Sequence, residues 1–360
     1  MPAVPNIIGS AHDTRSLRAR YQDNLPRHLI GIARHLQTRL MQDLTERRGY
    51  NSLRLSFGAF LSLIWEAGRP ISAIAEELAI SKQACSQIAN RIEQAGYLER
   101  RENPDDGRSK VVVLTRRGKA LVAHGAKLIS GADTQYADLV GASRYHAFTA
   151  ALLDLYEEVR ASTRIHPTAG THHRRSIGLL PMIVEWMQRT LMELASAQGH
   201  AGLKMSHAQV LLLIGPDGGH IHEMARIQRV SRQAISAISQ DLEALGYLQR
   251  TPDQSDRRGL VLTLTAQGET LIADSVSAVD QLEADLSCKI GAAALESMKQ
   301  VAAEIYHALG LEAEVFGPTR APQTIPEIEA LAKRLYKELG SGNAAQLAEL
   351  LDHTARRTTP

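Results

Sequence analysis

Apolar residues recur at helical spacing through most of the first half of the chain. Leu29, Ile32, Ala33, Leu36, Leu40 and Leu44 mark one amphipathic helix, and Phe57, Phe60, Leu61 and Ile64 mark a second. Pro70-Ile71-Ser72 predicts a short third helix through Leu78, with Ser72 as its N-cap. Ser81 predicts the cap of a fourth helix, where Cys85, Ile88 and Ile92 fall at i, i+3 and i+7 and turn one stripe to the core. Gly96 ends it. Two strand-like segments follow, Tyr97 to Arg101 and Lys110 to Leu114, joined by a turn at Pro104-Asp105-Asp106-Gly107. Gly118 to Ile129 and Arg144 to Val159 return to helical spacing.

The same pattern then repeats. Ile80-Ser81-Lys82-Gln83-Ala84 returns as Val230-Ser231-Arg232-Gln233-Ala234, and Gly96-Tyr97-Leu98 as Gly246-Tyr247-Leu248, both at an offset of 150. Without a gap, 16 of the 38 positions from Ser81 to Gly118 are identical to those 150 residues on. A unit of this length occurring twice is a duplicated domain, because solenoid repeats run to roughly 20–50 residues. The expected organisation is an N-terminal flank at 1–20, a first domain at 21–164, a linker at 165–175, a second domain at 176–315 and a helical tail at 316–360. The linker carries Pro167 and Gly170, and the tail holds helical patterns from Ile325 to Leu339 and from Ala344 to Leu351.

A short helix, a tight turn, a capped second helix and a hairpin form a winged helix-turn-helix. With its wing residues the chain resembles the MarR family of transcription regulators, whose signature is Asp-x-Arg followed by a strand ending Leu-Thr-x-x-Gly. Here it stands as Asp106-Gly107-Arg108 with Leu114-Thr115-Arg116-Arg117-Gly118, and again as Asp256-Arg257-Arg258 with Leu264-Thr265-Ala266-Gln267-Gly268. The resemblance spans roughly residues 25–160 and 175–312. It implies a mainly α fold with small β-hairpin wings: two winged helix-turn-helix domains plus dimerisation-type helices, folded as an intramolecular pseudo-dimer. It also implies a repressor that reads a pseudo-palindrome in double-stranded DNA and responds to a small aromatic or other organic effector. Phe57, Phe60, Trp65, Trp186 and Met187 sit on helices that border the effector cleft in relatives, but core packing is the favoured reading for any one of them and no effector-pocket residue is assigned.

A helix in the major groove must present polar side chains opposite its core stripe. In the first unit Ser81, Lys82, Gln83, Ser86, Gln87, Asn90 and Arg91 meet that need; in the second, Ser231, Arg232, Gln233, Ser236 and Gln240 do, with Ala237 breaking the polar face. The amides suit adenine edges, while Lys82 and Arg91 suit phosphates. Asp106, Arg108 and Lys110 in one wing, and Asp256, Arg257 and Arg258 in the other, would reach the minor groove or the backbone. Family members often carry a Thr/Ser-Arg pair in the recognition helix. This chain instead has Ser86-Gln87 and Ser236-Ala237, which leaves the operator sequence open.

Composition narrows the remaining classes. A hydrophobic content of 44% over 360 residues supports more than one core, and a formal charge of +2 requires any DNA-binding charge to be local. Nine Lys/Arg against seven Asp/Glu in 70–119, and six against six in 220–269, make the first unit slightly more basic. No run of eighteen apolar residues exists and no apolar signal region follows Met1, so the expected location is the cytoplasm. Cys85, aligned with Ile235, is expected to be a buried hydrophobe, and Cys288 to pack likewise. The histidines at 166, 172, 173, 220 and 222 read as linker and surface groups, so no metal or cofactor is expected. Without a nucleophile elbow, a phosphate-binding glycine loop or a zinc-hydrolase motif, an enzyme is disfavoured. An architectural DNA binder and a protein-interaction module stay open as rivals, as does further self-association.

Overall fold

The computed structural model describes residues 11–65, 67–78, 80–103, 106–162, 176–215, 218–228, 230–253 and 260–311. The linker at 165–175, the tail at 316–360 and the wing residues Asp256, Arg257 and Arg258 lie outside them. In chain order the first repeat contains α1 (Ala11–Gln22), α2 (Leu25–Gln42), α3 (Phe57–Leu63), β1 (Arg69–Pro70), α4 (Ile71–Glu77), α5 (Lys82–Gln94), β2 (Leu98–Asn103), β3 (Asp106–Leu114), α6 (Arg116–Val140) and α7 (Ala142–Ser162). The second contains α8 (Leu180–Ala197), α9 (Met205–Leu211), α10 (Ile221–Ile227), α11 (Arg232–Ala244), β4 (Leu248–Pro252), β5 (Leu260–Leu264), α12 (Ala266–Ile290) and α13 (Ala292–Ala308). Three helix pairs, α4/α10, α5/α11 and α6/α12, keep the offset of 150 at both ends.

Among the described residues three apolar cores form. Phe60, Ile74, Cys85, Ala89, Ile92 and Tyr97 anchor the first winged helix, and Val210, Met224, Ile235, Leu242 and Tyr247 anchor the second. The third and largest joins the repeats: Leu29, Ile32 and Leu36 of α2 and Phe148, Leu152 and Leu155 of α7 pack with Ile183 and Met187 of α8 and with Met298, Val301 and Ile305 of α13. Burying these side chains contributes roughly 1.5–3 kcal/mol each. The two halves therefore share a core as the two subunits of a dimer would. The cross-lobe pair Arg144–Glu304 at 2.7 Å lies at its rim.

The motif shared by the two wings has a packing cause. Thr115 caps α6 by accepting from Gly118 N at 3.0 Å, and its hydroxyl donates to Gly96 O at 2.8 Å; Thr265 repeats both bonds with Gly268 at 3.0 Å and Gly246 at 2.6 Å. A Cβ on Gly118 would lie 1.9 Å from Tyr97 O, and one on Gly268 2.2 Å from Tyr247 O. Only glycine lets this helix approach the start of the strand so closely.

Several expectations need correction. The third helix starts at Ile71 with Pro70 before it; Ser72 lies inside its first turn and caps nothing. β3 begins at Asp106, so that residue belongs to the strand and not to the turn. α6 runs to Val140, well beyond the apolar-periodic stretch that ends at Ile129, whereas α7 exceeds Arg144 to Val159 by only two residues at its start and three at its end. β1 was not anticipated. It pairs with β3 at Arg69↔Val112, and the second lobe keeps that register as a single bridge, Gly219↔Leu262. Cys85 is buried as expected, but Cys288 is exposed.

Candidate nucleic-acid interface

Ser81 and Ser231 each accept from the backbone N–H three residues on, Ala84 and Ala234, at 3.1 Å, which fixes where α5 and α11 begin. From there the burial pattern of the two helices is the same, position for position. Cys85, Ala89 and Ile92 face inward on α5; Ile235, Ser239 and Leu242 do so on α11. Opposite them Ser81, Lys82, Gln83, Gln87, Asn90 and Arg91 are exposed and Ser86 is half-buried. Ser231, Arg232, Gln233, Ala237 and Gln240 are exposed on α11, with Ser236 half-buried. The residues expected to read DNA thus share one open face in each lobe.

The strands after these helices clamp them. Arg100 of β2 pairs with Glu93 of α5, and Arg250 of β4 makes the same pair with Glu243 of α11 at 2.8 Å. In the first lobe Arg100 also donates to Asn90 Oδ1 at 2.6 Å, so this amide is already engaged by the protein. Lys110 is exposed on β3, and Asp106 and Arg108 belong to the same strand by backbone.

Phe57, Phe60, Trp65, Trp186 and Met187, on the helices that border the effector cleft in relatives, are not among the residues lining the cavity at the α1–α2 face of the second lobe. Phe57, Phe60 and Met187 are buried in the cores, Trp186 is half-buried against the shared core, and Trp65 is 43% exposed. That cavity, of about 140 Å³, lies where α1 and α2 meet α8, α9 and α12 of the second lobe. Arg27 and Arg34, seven residues apart and so on one face of α2, are among its lining residues, and Leu191, Leu211, Leu271 and Val276 supply apolar surface. Burial lowers the pKa of both arginines, and the charge of Arg27 lowers that of Arg34 further. With its amide turned to satisfy both groups, Gln209 accepts from Arg34 Nη1 and Nη2 at 3.3 and 3.1 Å. Burial pushes the Tyr21 phenol, also in the wall, up to about 12. A trace of this site is present in the sequence, since two arginines interrupt an otherwise apolar helix face where the second repeat has Ile177 and Val184.

Two links run from this cavity. Lys204 in the wall pairs with Asp241 of α11 at 2.6 Å, and His207 Nε2 lies 3.7 Å from the same carboxylate. Burial lowers the His207 pKa and the Lys204 ammonium lowers that of Asp241. On the other side Arg18 of α1 donates to Ile214 O at 3.0 Å and pairs with Glu269 at 2.8 Å, fastening the N-terminal helix to the second lobe.

The histidines group differently from their sequence neighbours. His166, His172 and His173 lie outside the described residues. His220 Nε2 sits 3.3 Å from Asp253 and not against Glu223, while His222 is exposed. A cluster invisible in the sequence joins Asp23, His28 and His307: His28 Nε2 bonds Asp23 Oδ1 at 2.5 Å, and His307 Nε2 is 3.6 Å from the same oxygen. His28 also stacks on Tyr306 at 4.8 Å, so the group ties the α1–α2 junction to α13.

Among known proteins, the model of the MarR family matches residues 60–109 and 201–259, which contain the helix-turn-helix of each repeat. The crystal structure of CouR from Rhodococcus jostii RHA1 bound to p-coumaroyl-CoA is similar at 22% identity and a TM-score of 0.30, over 36% of this chain and 91% of that one. No curated protein matches. The family model matches part of each repeat and each repeat is folded as a winged helix, so the chain is a tandem of two winged-helix domains that are similar to those of the MarR family.

Proposed function

We propose that the chain is a sequence-specific, double-stranded DNA-binding transcription regulator, acting as a repressor in the cytoplasm and modulated by a small organic effector. A single chain supplies both halves of the reader: α5 and α11 enter the major groove at two half-sites of a pseudo-palindrome, and the hairpins flank them. The observation that carries this reading is the pair of open polar faces on α5 and α11, set over the same buried stripe in both lobes. Among the described residues no helix is long and apolar enough to cross a membrane, and the chain's near-neutral charge leaves recognition to these local faces.

Gln83, Gln233, Gln87 and Gln240 read base edges, with Ser86 and Ser236 beside them, while Lys82, Arg91 and Arg232 hold phosphates. Ala237 makes the second lobe the less selective reader. Arg108 and Lys110 in one wing, and Arg257 and Arg258 in the other, add minor-groove or backbone contacts, with Asp106 and Asp256 orienting the arginines. The test is a gel shift on the DNA flanking the gene, repeated over a salt series and against unrelated duplexes. Tight, salt-dependent binding to one region is expected. Equal affinity for unrelated duplexes would replace this reading with an architectural one, and no binding at all would leave a protein-interaction role.

A further inference from the structure

Three metal-ligating side chains converge where the first repeat meets the last helix of the second. Asp23 at the α1–α2 junction, His28 in the first turn of α2 and His307 in the last turn of α13 each bring one donor atom, and these atoms lie within 4.8 Å of one another. Both imidazoles present Nε2 to Asp23 Oδ1, His28 at 2.5 Å and His307 at 3.6 Å. The shorter contact is a hydrogen bond and the longer one is not. The longer one is instead close to the separation of about 3.4 Å between two ligands that each sit about 2.1 Å from a tetrahedral ion. His28 is buried with its ring 4.8 Å from that of Tyr306, and the His307 ring meets it edge-on at 5.4 Å. For an ion to enter, the Asp23–His28 contact has to widen. Asp23 is exposed between two helices, where its carboxylate has room to turn.

The donor set selects the ion. Imidazole nitrogens suit zinc, copper and nickel, whereas magnesium and calcium take shells of oxygen. We propose that the chain binds one zinc ion, or another divalent transition ion of that class, between Asp23, His28 and His307, with water in a fourth position on the open side. Two features set the strength. Metal on His28 Nε2 puts the ring proton on Nδ1, which is buried without a hydrogen-bond partner among the described residues, and a partner of that kind is worth about 10–100-fold in affinity. The charge of Arg27, beside His28 on α2, opposes a further positive charge here. Micromolar binding follows, weaker than that of a closed structural site.

Duplication leaves this site single. The positions 150 residues beyond Asp23 and His28 hold His173 and Gly178, and the position 150 residues before His307 holds Glu157. Gly178 brings no donor side chain, so the twin place lacks the ligand that is buried in the first. An ion held by the three residues fastens the α1–α2 junction of the first repeat to α13 of the second, beside the core the repeats share. The donors come together only in the folded chain, so the ion raises the melting temperature by mass action. This site goes beyond the regulator reading and does not depend on it.

The test is calorimetric titration of the chelator-treated full chain, free of DNA, with zinc chloride and with magnesium chloride, alongside melting curves at rising zinc. One equivalent of zinc is expected to bind in the micromolar range and to raise the melting temperature, and magnesium to do neither. Asp23→Ala and His307→Phe, both at exposed positions, are each expected to weaken zinc binding by more than about tenfold and to remove the zinc-dependent rise, while melting without zinc stays cooperative. If His307→Phe fails to fold, His307→Gln takes its place. A chain with His166, His172 and His173 all changed to Ala is expected to bind zinc as the natural chain does. Full affinity in the folded ligand variants, loss of binding in the linker variant, equal affinity for magnesium, or no zinc binding at millimolar concentration would each overturn the proposal. Zinc binding is read without DNA, so its failure leaves the regulator reading as it stands.

Discussion

In the first lobe Arg69 on β1 pairs with Glu77 of α4 at 2.8 Å, with both side chains largely buried; the second lobe has Gly219 and Ile227 there, and Ile227 is exposed. In the first lobe Tyr50 bonds His124 at 2.8 Å; 150 residues on, His200 bonds Asp274 at 2.8 Å and Tyr247 at 3.0 Å, while Tyr97 donates to Asn51 O at 2.7 Å. Against these differences stand the unchanged parts: the serine caps of the recognition helices, the Arg–Glu clamp, and the Thr and Gly that seat α6 and α12. What has stayed the same shapes the backbone, and what has changed sets local polarity. Duplication within one chain permits this, because each lobe changes without its twin changing, which a homodimer cannot do.

That comparison can be broken from either side. Glu77→Ile, which installs the second lobe's residue and leaves Arg69 without its carboxylate, is expected to cost about 3–4 kcal/mol, and adding Arg69→Gly should recover part of it. Urea unfolding of the single and double variants measures this; additive losses would show the pair to be independent. Gly118→Ala and Gly268→Ala are each expected to cost about 3 kcal/mol, since the new Cβ meets a backbone carbonyl in both lobes. Unequal losses would show that the two frames are not the same.

In DNA binding, Arg108→Ala and Arg258→Ala are each expected to weaken the complex by about 1–3 kcal/mol, read by gel shift, and the double variant by roughly the sum. An unchanged double variant would remove the wings from the interface. The pH dependence follows from burial. His28 and His207 both have lowered pKa values in the folded chain, so as pH falls the unfolded chain takes up their protons first. Stability is then level above about pH 6.5 and falls below it. His207→Phe, which copies Phe57 of the first lobe, should shallow that fall as followed by melting temperature. Smallest of all, Lys204→Ala breaks a largely exposed pair with Asp241 and should cost under about 1 kcal/mol of stability. A loss several times larger would give that pair a structural role.

Much of this could be read in the sequence, and for a physical reason. The recognition helices, their serine caps, the Leu-Thr-x-x-Gly seat and the in-register duplication are local patterns, fixed by residues within a few turns of one another. The three-stranded sheet, the Asp23–His28–His307 cluster and the cavity all depend on contacts between distant segments. Arg34 meets Gln209 and His28 meets His307 only because the shared core brings α2 against the second repeat. Phe57, Phe60 and Met187 fill the cores, Trp186 packs half-buried against the shared core and Trp65 is exposed, while α2 brings two arginines to the cavity. The exposed Cys288 on α12 had no neighbour pattern to declare its face.

The central claim is that one chain, through two unequal lobes, engages one two-fold site. Sedimentation of the protein with a duplex carrying the full operator, under saturating conditions, tests it most directly. One chain per duplex is expected, with affinity lost when either half-site is scrambled. Two chains per duplex, or undiminished affinity for a single half-site, would contradict it.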